Sequence, residues 1–548
     1  MAILTESRPP PVVEVLVPSA ERQARMPPSR GASTRPPLSA LLVAVAASGV
    51  AITWSAVTHS MLLYGDARAH LDVARHVTDA LTPGLAQLGS VWLPMPHILL
   101  APFVAITPLW HNGAAGAIVS GLCFVYTALR IFSLVEELSS SRLGAWCGMA
   151  VFILNLNILY IQTTALTEPV LLAFMVGAVF HLTRWMRTLE ARELLWGALF
   201  VFFGTLTRYE GWALLMAALV AVAVWARLAD RRHKSPRANL MLFASVACYG
   251  LVLWFLYNLI IFHDPLYFLH SDYSAQAING GQAKFGLLAT KGSVWNSMVT
   301  YGWTVVDVVG TPVLIVTGAS VAALAAVRHP ERRRTLFTLG LLAAPVLFEV
   351  ASLYAGQTTI RVPQVTHDMW NDRYGVVALP LCAVAAGVLA GRWRWSRPVV
   401  VLAAVAAALI MATSVPLTLA DGRTGVSQPF GGHPAVAAIY LRDHYRGGDV
   451  LADDSTASSL IFTSGLNLRD VITVGYHPYF AEAIADPVRH VAWVVSFPRD
   501  AVTTDMAAHP DRFRDFRLVV TQQGIKLYER TFPPASAGAI PAGSRGGF

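Results

Sequence analysis

Asp66 is placed where a proton acceptor would be useful. It lies in Tyr64-Gly-Asp-Ala-Arg-Ala-His70, just past the first long apolar stretch, Leu38 to about Thr58. Wound as a helix at about 100° per residue, Asp66 to Leu81 separates into two faces. Arg68, Asp72, Arg75, His76 and Asp79 share one face, with Arg75 and Asp79 at ion-pair spacing. Ala67, Leu71, Val73, Ala74, Val77 and Leu81 share the other, and Asp66 and His70 fall among them, one turn apart. A charge that merely solvates a helix does not belong there. Either Asp66 caps the helix with His70 paired to it, or it is a base facing a cavity with His70 in support. An acid at a membrane exit, on the face away from nucleotides, suits chemistry on lipid-linked substrates.

Three more ionisable groups stand at span ends: Thr167-Glu168-Pro169, Thr207-Arg208-Tyr209-Glu210-Gly211-Trp212 and Asn371-Asp372-Arg373-Tyr374-Gly375. Ionisable groups near a bilayer are costly and usually face a bundle interior or an aqueous cavity. Each group alone also fits a cap or a local ion pair, Arg208 with Glu210 or Asp372 with Arg373. Such groups from distant parts of the chain, all on one side, are harder to explain as caps. The neighbouring Tyr64, Trp92, Tyr209, Trp212, Trp370 and Tyr374 fit a site or an interfacial aromatic belt equally well.

What positions these residues follows from composition. The 548 residues are 55% hydrophobic and 14% charged, with mean hydropathy +0.51. Soluble domains carry roughly 25% charged residues, so lipid solvates most of this chain. Continuous rather than alternating apolar stretches exclude a β-barrel. The net charge of +8 comes from short basic loops, which topology and anionic phospholipid explain without nucleic acid. Cys123, Cys147, Cys248 and Cys382 all lie in apolar spans, without metal-type spacing, so no disulfides are expected.

Lys and Arg mark the cytoplasmic side. Alternation of Arg-rich with acidic, His-rich and aromatic loops gives about eleven spans, an all-α polytopic membrane protein. Residues 1–37 read as a disordered cytoplasmic tail, retained as part of a signal anchor, and 38–420 as the transmembrane module. Its outer loops are 59–112 and 263–301. Leu85 to Trp110, broken by Pro94, Pro96, Pro102 and Pro108, reads as re-entrant or interfacial, because a crossing there would invert the Arg bias downstream. Beyond Leu419, residues 431–530 change period. Runs at Val450–Asp453, Val471–Val474, Val491–Val495 and Arg517–Val520 read as strands, alternating with helical segments at Ser458–Leu466 and Phe480–Ala485. That pattern predicts a small extracytoplasmic α/β domain with a mostly parallel sheet, followed by a disordered tail, 531–548.

This arrangement resembles the GT-C glycosyltransferases. The shared features are an acid in the first outer loop, Glu168-Pro169 at the second, Arg208 after the fifth span and Arg373-Tyr374 before a Pro-containing late span. The nearest likeness is to bacterial members related to dolichyl-phosphate-mannose protein mannosyltransferases (family 39-like) and the aminoarabinose transferase, and it covers roughly residues 38–420. The resemblance implies transfer of a mannose-like sugar from a polyprenyl-phosphate donor to a protein, lipid or glycan acceptor, outside the plasma (inner) membrane. It makes Asp66 the catalytic base and puts Glu168 in the same cavity as a second acidic catalytic residue. Arg208 and Arg373 match positions that hold the donor phosphate, and His70, His97, Glu210, Asp372 and Tyr374 join them as substrate-binding residues. The sequence departs from the family in having Gly65 before Asp66, where some relatives carry two acids. Leu93-Pro-Met-Pro-His97 is only a loose form of the relatives' Lys-Pro-Pro or His-Pro-Pro. No Gly-rich phosphate loop is present, so no nucleotide cofactor is expected, and a divalent cation stays open. The alternative from another class is a transporter or flippase of lipid-linked glycans, which would show broken helices in two matching halves. A non-catalytic scaffold would have no reason to gather ionisable residues at outer helix ends.

Overall fold

The computed structural model describes residues 35–228, 236–271, 274–284, 288–327, 329–414, 416–427, 435–453, 460–474, 479–498, 500–522 and 524–531. Most of the expected tails, 1–37 and 531–548, and the core of the basic loop Arg227–Arg237 lie outside the described residues.

The chain is helical until its C-terminal domain. Helix α1 (Leu38–Val57) leads into the amphipathic α2 (Gly65–His76), then the short α3 (Met95–Val104) and α4 (Thr107–His111). The following helices are α5 (Ala114–Ser139), α6 (Arg142–Ile153), α7 (Leu156–Ile161), α8 (Glu168–Thr188), α9 (Ala191–Thr205) and α10 (Glu210–Leu228). Then come α11 (Pro236–Ala247), α12 (Tyr249–Phe262), α13 (Tyr267–His270), α14 (Ala275–Lys284), α15 (Val294–Val309), α16 (Thr311–Ala326), α17 (Arg332–Ala355) and α18 (Pro363–Thr366). A 3₁₀ turn, Asp372–Ala378, opens α19 (Leu379–Arg392), and α20 (Ser396–Ser414) and α21 (Leu417–Ser427) close the bundle.

Among the described residues eight helical stretches are long and apolar enough to cross a membrane, or nine if the bent pair α15–α16 is one span. The chain is therefore a multi-pass membrane protein. Helix α3 has ten residues, about 15 Å of helix against a hydrocarbon core of about 30 Å. Two expected continuous segments are interrupted. The stretch Leu143–Ile161 breaks at Asn155, whose side chain caps α7 and donates to the Val308 carbonyl at 2.8 Å. The stretch read as outer loop to Tyr301 is already helical from Val294, and α15 turns by 108° into α16. Gly310 makes that corner with φ 91°, and a Cβ there would meet Ala407 Cβ at 2.8 Å. Close approach also fixes α6 against α19, where a Cβ on Gly144 would fall 2.5 Å from Gly391 Cα.

The C-terminal domain has strands β1 (Val450–Leu451), β2 (Val471–Ile472), β3 (Trp493–Ser496), β4 (Phe516–Gln522) and β5 (Ile525–Arg530) in the order β2-β1-β3-β5-β4. β1 pairs parallel with β2 and β3, but β5 pairs antiparallel with β3 and β4. The expected mostly parallel sheet is thus mixed, because β4 and β5 form a hairpin and β5 was not anticipated. Helices appear at residues 460–464, inside the expected Ser458–Leu466, and at Tyr479–Ala485, one residue longer than the expected Phe480–Ala485.

This domain sits on the segment between α1 and α5. Ala80 and Leu81, just beyond α2, pack into its core with Leu451, Ile472 and Val494. Phe462 meets the Trp110 ring at 5.4 Å, and Arg469 reaches Asp79 at 2.9 Å. Arg75 ties the same region together, with Nε on Asp79 at 3.1 Å and Nη1 on the Val104 and Ala105 carbonyls at 2.6 and 3.0 Å.

Candidate functional site

Helix α2 starts at Gly65 with Tyr64 as its N-cap residue, and Asp66 lies inside its first turn. Asp66 is therefore not the cap. Its Oδ2 accepts from Arg373 Nη2, while the side chain stays 42% exposed. Arg373 comes from the 3₁₀ turn before α19, more than three hundred residues away in sequence. Its Nε donates to Glu168 Oε1 at 3.0 Å, and its guanidinium lies 5.1 Å from the ring centroids of both Tyr64 and Tyr374.

Glu168 is the first residue of α8 and is fully buried. The same Oε1 accepts from Arg208 Nη1 at 3.2 Å, and its other oxygen has no hydrogen-bond partner among the described residues. Arg208, in the loop between α9 and α10, donates from Nη1 to Thr167 Oγ1 at 2.9 Å and from Nε to Glu210 Oε1 at 2.8 Å. It also lies 4.7 Å from the Tyr374 ring. The result is a continuous chain, Asp66–Arg373–Glu168–Arg208–Glu210, drawn from four helix ends distant in sequence. Buried charges persist when they are paired, and in this chain each buried charge has an opposite neighbour. Asp66 is the most exposed member of the chain.

Tyr64 supplies a second support. Its hydroxyl donates to the Thr418 carbonyl at 2.6 Å and to Asp421 Oδ2 at 3.1 Å. Burial first, and then the Asp421 carboxylate, hold that hydroxyl's pKa well above its usual value, so it keeps its proton.

Other expected contacts differ. His70 does not pair with Asp66; its Nδ1 meets His97 Nε2 at 2.9 Å, and Trp92 lies against its ring at 4.2 Å. Burial lowers both histidines, His97 to about 4, and His97, Arg373 and Arg208 push His70 down further. Both rings are therefore neutral at physiological pH. Arg373 does not pair with Asp372, whose buried carboxylate has no hydrogen bond on either oxygen among the described residues. Arg208 does pair with Glu210, but it also reaches Glu168.

Sequence reasoning missed two acids near this cluster. Asp421, on α21, lay just past the expected last span, at the end of a strongly apolar run. Glu349 is the only acid in α17 and is buried against Glu210. A lone acid inside an apolar span is a readable signal. Among the described residues no group of three His, Cys, Asp or Glu side chains is arranged to hold a metal ion.

No family model matches the sequence, and no curated protein matches it. Solved structures of the Archaeoglobus fulgidus oligosaccharyltransferase do show a coarse likeness. The complex with Zn and sulfate superposes with TM-score 0.45 at 12% identity over 90% of this chain and 73% of that one. The apo form gives 0.45 at 13% over 84% and 69%. The archaeal oligosaccharyltransferase AglB with an inhibitory peptide and a dolichol-phosphate gives 0.43 at 12% over 90% and 74%. The likeness is one of chain path, at an identity too low to carry residue roles across.

Proposed function

We propose that this chain is an eleven-span glycosyltransferase of the plasma membrane, using a polyprenyl-phosphate sugar as donor on the extracytoplasmic face. The observation that carries the reading is the contact between Asp66 and Arg373, with Asp66 half-exposed and Arg373 buried. A carboxylate open to an aqueous approach and held beside a phosphate-type cation is the pairing an inverting transfer needs.

The Arg373 guanidinium contacts Asp66 and Glu168. A donor phosphate competes for the Arg373 fork, since a phosphate oxygen matches guanidinium geometry as well as a carboxylate does. Its binding frees Asp66 to face the acceptor hydroxyl. The acceptor oxygen then attacks the anomeric carbon opposite the phosphate, and Asp66 takes the hydroxyl proton. The bond from the anomeric carbon to the phosphate oxygen breaks, and the polyprenyl phosphate leaves with the electron pair. Arg373 and Arg208 stabilise the charge that develops there. Glu168, fully buried, holds both arginines in register, and Tyr64 and Tyr374 wall the Arg373 guanidinium.

The eleven-span count adds α6–α7 and α9 to the nine longer spans, with N- and C-termini on opposite sides. A transporter built on paired broken helices is the second reading, carried by the breaks at Asn155 and Gly310; the contact of half-exposed Asp66 with Arg373 favours transfer. The test is transfer by purified protein across a panel of polyprenyl-phosphate sugars and acceptors. Activity with one donor, lost in Asp66→Asn, supports the reading; no transfer with any donor overturns it.

A further inference from the structure

Resting on that reading, we propose that Trp92 is a stacking platform for a pyranose ring beside Asp66, held in place by the His70–His97 pair. Trp92 lies in the first outer loop and is 37% exposed, a large apolar surface to leave open. The loop around it is sewn to the Arg208 loop on both sides. Tyr209 Oη donates to the Val91 carbonyl at 2.7 Å, and Met95 N donates to the Leu206 carbonyl at 2.9 Å. Trp92 is therefore fixed between the Arg208 turn and α2.

On the α2 side the indole rests on His70, with ring centroids 4.2 Å apart. His70 is itself held by His97 at 2.9 Å and is 4% exposed, so the surface beneath the indole is a buried, hydrogen-bonded pair of rings. An interfacial anchor does not need that support, because lipid headgroups accept Trp in many orientations. A platform does need it, since stacking gains little if the ring must first be ordered.

Spacing fits the same use. His70 follows Asp66 by four residues on α2, a rise of about 6 Å, roughly the span of one pyranose ring. Trp92, against the His70 ring, therefore stands about one helical turn along α2 from Asp66. An aromatic face matches the apolar C–H face of a pyranose, and the neutral histidines keep positive charge away from it. The ring can belong to the donor sugar or to a saccharide acceptor.

Fluorine NMR of the full-length protein labelled with 5-fluorotryptophan tests this, with the Trp92 resonance assigned by its loss in Trp92→Phe. Titrating methyl α-mannopyranoside, methyl β-glucopyranoside and methyl β-galactopyranoside, with glycerol as control, should shift that resonance saturably with at least one pyranoside and not with glycerol. In transfer assays Trp92→Ala should raise one KM about tenfold, and Trp92→Phe should stay within about threefold of wild type. A raised donor KM assigns the ring to the donor, and a raised acceptor KM assigns it to the acceptor. A resonance that none of the pyranosides moves, or a folded Trp92→Ala protein with both KM values unchanged, overturns the platform. If no donor is turned over at all, the transfer reading falls while the fluorine titration still decides the sugar site.

Discussion

Arg373 and Arg208 donate to one oxygen of Glu168, at 3.0 and 3.2 Å, although the two arginines come from opposite halves of the module. Two guanidinium groups this close would repel one another without the carboxylate between them. Glu168 is therefore the strut that holds the two cations side by side.

Replacing that strut should cost stability before it costs chemistry. Glu168→Gln leaves buried Arg373 and partly buried Arg208 with one shared countercharge fewer, and breaking a buried pair costs about 3–5 kcal/mol. Thermal unfolding in detergent should drop clearly, more than for Asp66→Asn, whose side chain is half-exposed. Equal melting temperatures for the two variants would remove Glu168 from this role.

Asp66→Asn should abolish most transfer with expression and donor binding retained, because the amide still meets Arg373 but cannot take a proton. Loss of a general base costs about 10²- to 10⁴-fold in rate. Single-turnover rates of purified variant and wild type measure this, and near-normal turnover would sink the assignment.

The arginines should separate by geometry. Arg373→Ala and Arg208→Ala should both raise the donor KM, and Lys at either position should restore charge but not the two-pronged contact. Arg373 should matter more, since it is the arginine that touches Asp66, the exposed end of the chain. Donor affinities unchanged in both alanine variants would end the phosphate role.

His97 makes stability depend on acid. Burial holds its folded pKa at about 4, against about 6.5 in the unfolded chain. Between those values the unfolded state binds the proton and the folded state does not, so stability falls as pH drops from about 6.5 to about 4 and is full above that window. His70 is lowered too and acts in the same sense. His97→Gln, which keeps a hydrogen-bonding group without titrating, should flatten part of the slope of melting temperature against pH. An unchanged slope would show that these rings do not carry it.

The convergence of Asp66, Glu168, Arg208 and Arg373 was legible because membrane burial makes every outer charge conspicuous. Their partners were not legible. A helical wheel placed His70 on the right face of α2 but could not show that His97, arriving from a Pro-rich loop, would take its Nδ1. Asp372 and Arg373 looked like a pair only while drawn as neighbours. A 3₁₀ turn rotates adjacent side chains by about 120°, which sends Arg373 to Glu168 and Asp372 elsewhere. The break at Gly310 was hidden because the segments on both sides are apolar. β5 was overlooked although Ile525-Lys-Leu-Tyr alternates as a half-buried strand should.

The C-terminal domain should lie on the same side of the membrane as Asp66. Ala80 and Leu81 sit inside that domain's core a few residues beyond α2, so the two cannot be separated by a bilayer. The Arg-rich loops after α10 and α16 argue for the extracytoplasmic side. Glu482→Cys, exposed on the domain's surface helix, should react with a membrane-impermeant thiol reagent in intact cells when Cys123, Cys147, Cys248 and Cys382 are replaced. Labelling only after permeabilisation would turn the module over. The site would then face nucleotide-linked rather than lipid-linked sugars, and Asp66 and Arg373 would need a different donor.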